Sequence, residues 1–337
     1  MRSTFYQKLG VQQKYYDEFL QCIKLRKKLS SPSNKIDYSL LFSHILSEYP
    51  QLFYVRQDLK TRYSLFGTEI VPQYIYSIVE EREISLKLEK VTTHLLANLI
   101  NEHQSEYDKV RIIHDYLKNS VQYDTKASKD CCLEDRSISE SHTIVGALIN
   151  HKSVCEGFAK ALKFLCNKIG IICWVIFGSA NSSIESGPHA WNLVRINGYY
   201  HHVDVTWDNQ YSTNAEIPNY GYLNLSDEEI SRDHTWDRKN YPACLESPYN
   251  YFRVNNALID SKKQLEKFLV DNLQSEEEVI MFKVVRGSQL EEEILGYIKD
   301  VIWNAVSRCK YVKVDSFRIN QIPEQRTFLV RPQYNFK

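Results

Sequence analysis

The sequence predicts an α+β protein in three parts: a mostly helical region over residues 1–100, a mixed core over 101–245 and a small α/β unit over 246–337. Three observations predict it. A helix opens at Cys155, and its Phe158, Leu162, Leu165 and Ile169 fall at steps of four, three and four, forming one buried stripe. Two apolar runs, "HAWNLVRI" and "YYHHVDVTWD", flank Asn197-Gly198, the strongest short signal for an antiparallel hairpin. Beyond residue 246 the pattern reads βαβαββ.

Composition bounds the function. The chain has 337 residues, 43% hydrophobic and 25% charged, ordinary for a globular protein. Basic and acidic residues number 42 each, so there is no basic excess to suggest nucleic-acid or membrane-surface binding. No apolar run approaches the roughly 18 residues a membrane span needs. The first residues lack the apolar stretch of a signal peptide, so a cytoplasmic setting is expected. A secreted or cell-surface setting follows instead if a leader has been removed. The eight cysteines are scattered and form no CxxC pair, so reduced thiols are expected and a structural zinc site is not. Cys131 and Cys132 read as loop thiols.

Along the chain, Phe19, Leu20, Ile23 and Leu25 mark an early amphipathic segment closed by a basic run at 24–28. "SLLFSHILSEYP" reads as a helix ended by Pro50. "LFYVRQDLKTRYSLFG" and "QYIYSIVEEREISL" alternate and read as strands. Two helices follow over about 85–119, the second carrying Val110, Ile113 and Leu117 on one face. Residues 125–141 read as a long polar loop, a candidate lid, and "HTIVGALIN" as a short helix. Gly170 sits where a left-handed cap ends the cysteine helix, and "IICWVIFG" reads as a strand. In the last unit "YFRVN" reads as a strand, 261–273 as a helix and "VIMFKVV" as a strand. Ser288 and Glu291 open a second helix in a capping box, and "KYVKVDSFRI" and "RTFLVR" read as strands.

Hairpin geometry brings chemistry together. A two-residue turn at Asn197-Gly198 pairs Ile196 with Tyr199, which sets His189 opposite Thr206 and Trp191 opposite Asp204. His189 and Asp204 then project from one face as diagonal neighbours. A three-residue loop would put them on opposite faces. The chain thus offers a thiol, an imidazole and a carboxylate: Cys155, His189 and Asp204. A helix amino end and a nearby imidazolium favour the reactive thiolate. Histidine can take the proton and deliver it to a leaving amine. A carboxylate on its other nitrogen fixes tautomer and orientation. Trp191 and Trp207 would line such a site.

Blander readings stand beside this one. A cysteine at a helix start is often a small buried filler, and His189 alone a satisfied strand residue. Asp204, between Val203 and Val205, needs a partner in either case. His189, His202 and Asp204 share a face in the same register and form a competing zinc set, which would leave the thiol without a role. His114 and Asp115 are adjacent on a helix, point in different directions and read as structural. Trp236, Tyr241, Tyr249, Tyr251 and Phe252 read as packing between the core and the last unit.

"VCEGFAKAL", "HAWNLVRI" and "HHVDVTWD", in this order and spacing, resemble the bacterial transglutaminase-like cysteine enzyme superfamily. The resemblance extends upstream through "VRIIHDYLKNSVQYD" and downstream through "YLNLSDEEISRDHTW", and covers roughly residues 1–255. It implies a papain-like core at 101–245, with the nucleophile helix packed on an antiparallel sheet. It implies Cys155 as nucleophile, His189 as base and Asp204 as the orienting carboxylate. It implies no metal or organic cofactor for the chemistry; a protein or peptide substrate is expected and, from the balanced charge, no nucleic-acid partner. In that superfamily a side chain upstream of the cysteine often helps the oxyanion hole, which points to Tyr123 or Gln122 beside the Cys155 backbone N–H. Such a site forms a thioester, expected here on glutamine carboxamides. An amine acceptor makes a transglutaminase, and water a protease or amidase. A non-catalytic scaffold is the third reading, and the intact Cys155, His189 and Asp204 argue against it. Nothing in the sequence specifies an oligomeric state.

Overall fold

The structure, a computed structural model, describes residues 11–30, 35–64, 67–130, 132–181, 186–210, 219–309 and 312–335. Cys131 therefore lies outside the described residues. One cluster of buried apolar side chains runs from Val11 through Phe158 to Val330, so the three parts share a continuous core.

The N-terminal part begins with α1 (Gln13–Lys24), which buries Tyr16, Phe19, Leu20 and Ile23. It packs on α2 (Tyr38–Glu48), with Phe19 edge-on to Tyr38 at 5.2 Å between ring centroids. A three-stranded sheet follows, from β1 (Leu29–Ser30), β2 (Val55–Ser64) and β3 (Gly67–Tyr74), in the order β1-β3-β2. The alternation in "QYIYSIVEEREISL" mispredicts most of that stretch: the strand ends at Tyr74 and α3 runs from Ile78 to Leu99. Ser77 and Glu80 close a capping box there, and that local satisfaction of orphan backbone donors starts a helix despite the alternation.

Helix α4 (Glu106–Ser120) leads to β4 (Gln122–Tyr123), which pairs in parallel with β5 (Lys152–Ser153) just before the cysteine helix. The 125–141 segment is not an open loop. It holds α5 (Thr125–Lys129) and α6 (Arg136–Ser141), capped by Asp124 and Asp135, and its Ala127 and Ile138 pack on Val154. Helix α7 (Ile144–Leu148) is wholly buried, and α8 (Cys155–Lys168) buries the expected Phe158, Leu162 and Leu165.

Helix α8 lies against a five-stranded antiparallel sheet of order β10-β6-β7-β8-β9. Its strands are β6 (Cys173–Asn181), β7 (Ser186–Ile196), β8 (Tyr199–Val203), β9 (Leu223–Leu225) and β10 (His234–Trp236). The core is α+β and papain-like, as expected. The turn has the predicted register: Ile196 pairs with Tyr199, and Asn197 and Gly198 take φ of 46° and 94°. The ladder, however, ends at Asn192–Val203. "YYHHVDVTWD" is not a strand throughout; α9 (Val205–Gln210) begins after Asp204, so Thr206 does not pair with His189. The Asp204 side chain causes the turn by accepting the Trp207 N–H at 3.1 Å, as a helix N-cap does.

A short capped helix, α10 (Asp227–Ile230), lies between β9 and β10, and the last part opens with α11 (Tyr251–Val254). "YFRVN" is thus helical, because the Asn250 side chain accepts the Phe252 N–H. The strand comes later, β11 (Leu258–Ile259), parallel to β12 (Ile280–Val284). With β13 (Val314–Ile322) and β14 (Thr327–Tyr334) they form a sheet of order β11-β12-β14-β13. It carries α12 (Lys262–Gln274) and α13 (Gln289–Arg308), capped by Ser261 and Ser288. Among the described residues no helix is long and apolar enough to cross a membrane.

Candidate active site

Cys155 is the first residue of α8 and is half-buried against Ala159, Val175 and Ala190. The chain entering it is held from outside the helix. Val154 N–H and Ser153 Oγ both donate to the Ser141 carbonyl, at 3.1 and 2.8 Å. Gly157, in the first turn, must lack a side chain, since a Cβ would overlap Ser153 Oγ and the Ser141 carbonyl oxygen. This close approach fixes where the thiol stands. The neighbouring Glu156 meets Lys160 Nζ at 2.8 Å and His142 Nδ1 at 3.0 Å. Burial pushes its carboxyl up, but Lys160 and His142 outweigh that and hold it down at about 2.

His189 lies in β7 and is buried. Its Nε2 is 2.7 Å from Asp204 Oδ2, and the Cys155 thiol stands near enough to the same ring to help hold its pKa up. With Nε2 committed to the carboxylate, Nδ1 is the nitrogen left for the thiol. The ring stacks on Trp191 at 6.0 Å and 17° and packs on Trp207 at 5.5 Å. Opposite His189 in β6 stands Gly178, where a Cβ would overlap the Thr235 carbonyl oxygen and the Trp191 ring. Burial alone would lower the His189 pKa, yet the facing Asp204 and then Cys155 outweigh it and hold it well above the ordinary value.

Asp204 has no exposed surface. One carboxylate oxygen accepts the Trp207 N–H; the other faces His189 and, at 3.1 Å, His234 Nε2. Burial pushes this carboxyl up, but the two imidazoles outweigh burial and hold it far below the usual range. Sequence reasoning missed His234. The available signal was "DHTW": a histidine between an aspartate and an aromatic, on a strand that borders the hairpin sheet.

Of the three residues weighed for zinc, His189 and Asp204 meet, and His202 turns to other partners. His202 Nδ1 accepts from Trp191 Nε1 at 3.0 Å, and its Nε2 faces Asp227 Oδ1 at 2.8 Å. The Trp191 donor thereby places the His202 proton on Nε2, toward the carboxylate. Two other groups have ligand atoms within 4.8 Å of one another: His189, Asp204 and His234, and His202, Asp227 and Cys244. In both, the histidine nitrogens already face carboxylates.

Of the oxyanion candidates, Tyr123 pairs with Ser153 and is half-buried, two residues from Cys155 across the β4–β5 ladder. Gln122 pairs with Lys152 and is exposed. His114 and Asp115 are structural, although their side chains do meet, at 3.3 Å. His114 Nε2 contacts Asp208 Oδ2 at 3.0 Å, which pins the helix that Asp204 caps. The aromatic cluster splits. Trp236 packs on Trp191 and His202, Tyr241 on Trp174, Tyr249 on Tyr107, and Tyr251 on Tyr220.

Residues 93–205 match the family model described as the transglutaminase-like superfamily. The matched segment holds Cys155, His189 and Asp204, so the likeness to that superfamily runs through the core. It is 26% identical over 206 residues to the kyphoscoliosis peptidases of Mus musculus and of Homo sapiens, a match over 57% of this chain. The matched segment spans only 30% of each of those relatives. A solved structure described as that of a TGase aligns over 45% of this chain and 44% of its own, at 18% identity and a TM-score of 0.32.

Proposed function

We propose that the protein is a cysteine acyltransferase of the transglutaminase type, with 101–245 as its catalytic core and 1–100 and 246–337 as regions packed on it. The observation that carries this is one buried imidazole, His189, 2.7 Å from the Asp204 carboxylate and with the Cys155 thiol near it. Cys155 sulfur attacks a glutamine carboxamide carbon. His189 accepts the thiol proton and delivers it to the departing ammonia, leaving a thioester. An amine then attacks the thioester, and its proton returns through His189 to the released sulfur. Asp204 holds the ring and offsets its charge. The Cys155 N–H at the helix start supports the oxyanion, with Tyr123 the side-chain candidate to assist it.

A second reading, hydrolysis at the same site, is favoured by the word peptidase in the names of the mouse and human relatives. One experiment separates the two. The protein is incubated with a glutamine-bearing protein and a labelled primary amine, beside a peptide-cleavage assay. Amine incorporation that disappears in Cys155→Ala supports transfer. Cleavage without incorporation puts hydrolysis in its place, and neither activity leaves the scaffold reading.

A further inference from the structure

The 246–337 unit reaches the proposed site from behind. At the tip of the β13–β14 hairpin, Ile322 joins the apolar group of Trp207, Tyr222, Leu225 and Ile230. Trp207 packs on His189, so this tip shares an apolar group with a side chain that touches the imidazole. Gly221 leaves the room for it, since a Cβ there would overlap Ile322 Cδ1.

Gln325, in the same tip, has no exposed surface. Its Nε2 donates to Asp233 Oδ2 at 3.0 Å, and its Oε1 accepts from Lys283 Nζ at 3.3 Å. A lysine donor at one end and a carboxylate at the other fix the amide orientation, because the flipped amide would set oxygen against oxygen. Asp233 Oδ2 also accepts from Tyr222 Oη at 2.8 Å, while its Oδ1 faces His234 Nδ1 at 2.5 Å. His234 Nε2 in turn faces Asp204 Oδ2 at 3.1 Å. Both His234 nitrogens thus face carboxylates. The result is an unbroken buried chain, Lys283–Gln325–Asp233–His234–Asp204–His189.

We propose that Gln325 and His234 are positioning residues for the reaction, and that the last unit of the chain serves as the back wall of the site. This rests on the reading of Cys155, His189 and Asp204 as the reacting set. Asp204 Oδ2 is shared by two imidazoles, so its place depends on where His234 is held. His234 is held by Asp233, and Asp233 by Tyr222 from the core and Gln325 from the hairpin tip. Removing the Gln325 amide leaves Asp233 one donor short in a buried place, which a small shift of Asp233 and His234 would relieve. That shift is passed to Asp204.

The test compares Gln325→Leu, Tyr222→Phe and Phe328→Leu. Phe328 is buried and stacks on Phe282 at 5.2 Å within the last sheet, so its variant is a control for stability alone. The readouts are thermal unfolding, kcat and KM for amine incorporation, and the pH profile of Cys155 alkylation by iodoacetamide, mapped by peptide. Gln325→Leu should move the alkylation profile and lower kcat about tenfold or more with KM unchanged, as misplacement of a reacting group does. Phe328→Leu should lower Tm and leave the profile in place. A folded Gln325→Leu whose profile and kcat match the parent overturns the proposal. Should Gln325→Leu not fold, Tyr222→Phe decides: a moved profile supports the chain, and an unmoved one overturns it. If Cys155→Ala keeps full activity in the parent background, the reading of the reacting set fails first and takes this proposal with it.

Discussion

Asp204 reaches His189 from the amino end of a helix and not from a neighbouring strand. Its Oδ2 lies 2.7 Å from His189 Nε2 while its Oδ1 caps α9 through the Trp207 N–H. One carboxylate thus ends β8, starts the next helix and faces the imidazole. The helix so started brings Trp207 against the same ring and is tied down by the His114–Asp208 contact.

Substitutions in the reacting set should have unequal costs. Cys155→Ala should abolish thioester formation. His189→Ala should lower kcat/KM by roughly 10²–10⁴-fold, the usual worth of general acid–base help. Asp204→Asn keeps the side-chain shape and should cost less in rate than His189→Ala. It also leaves two imidazoles without their carboxylate, so its Tm should fall more than that of Cys155→Ala. Kinetics and thermal unfolding on all three variants check the order. A folded His189→Ala with parental activity would refute the scheme.

Gly178 should tolerate no side chain. A Cβ there would overlap the Thr235 carbonyl oxygen and the Trp191 ring. Gly178→Ala must push β10 away or displace Trp191, and overpacking of this kind typically costs about 1–3 kcal/mol. Because Trp191 stacks on His189, activity should fall along with Tm. Gly170→Ala has open space around its Cβ but a φ of 81°, so it should cost stability through backbone strain and leave the site intact. Chemical denaturation beside amine incorporation distinguishes the two glycines.

The parts legible in the sequence were those with a local rule behind them. Asn197-Gly198 set the hairpin register because only φ-tolerant residues close a two-residue turn, and the stripe on α8 announced its buried face. What the sequence hid was decided by single side chains bonding to nearby backbone. Ser77 turned an alternating stretch into α3, Asn250 did the same at Tyr251, and Asp204 cut β8 short. His189 and Asp204 still met, because the capping aspartate stands one residue past the last pair of the ladder. His234 and Gln325 stayed out of view for another reason. They come from distant stretches of chain, and only tertiary packing places them behind Asp204.

Acid should destabilise the nucleophile helix through Glu156. Its carboxyl is held down at about 2 from an ordinary 4.5 by Lys160 and His142, against the opposing effect of burial. A depressed carboxyl contributes stability above its unfolded pKa and loses it as pH falls through the folded value. The window is therefore about pH 5 down to 2, and the contribution at neutral pH is on the order of 3 kcal/mol. Glu156→Gln should lower Tm at pH 7 and flatten the decline of Tm over that window. A Gln variant whose Tm falls as steeply with acid as the parent would assign the effect to other carboxylates.

The 125–141 segment should behave as a buttress. Its sequence reads as a polar loop, and as a lid it would govern whether an amine or water reaches the thioester. The structure instead seats Ala127 and Ile138 on Val154, the residue before Cys155. The Ser141 carbonyl then accepts from the Val154 N–H and the Ser153 Oγ, which holds 153 and 154 in place, and Asp124 accepts from Ser141 Oγ at 2.7 Å. Ile138 is 1% exposed, so Ile138→Ala should open a cavity costing about 2–5 kcal/mol. The loosened residue is the N-cap of α8, so alkylation of Cys155 should change in rate along with the loss of Tm. The partition of thioester between amine and water should stay as in the parent. A variant with parental Tm and Cys155 reactivity but a partition shifted toward water would restore the lid.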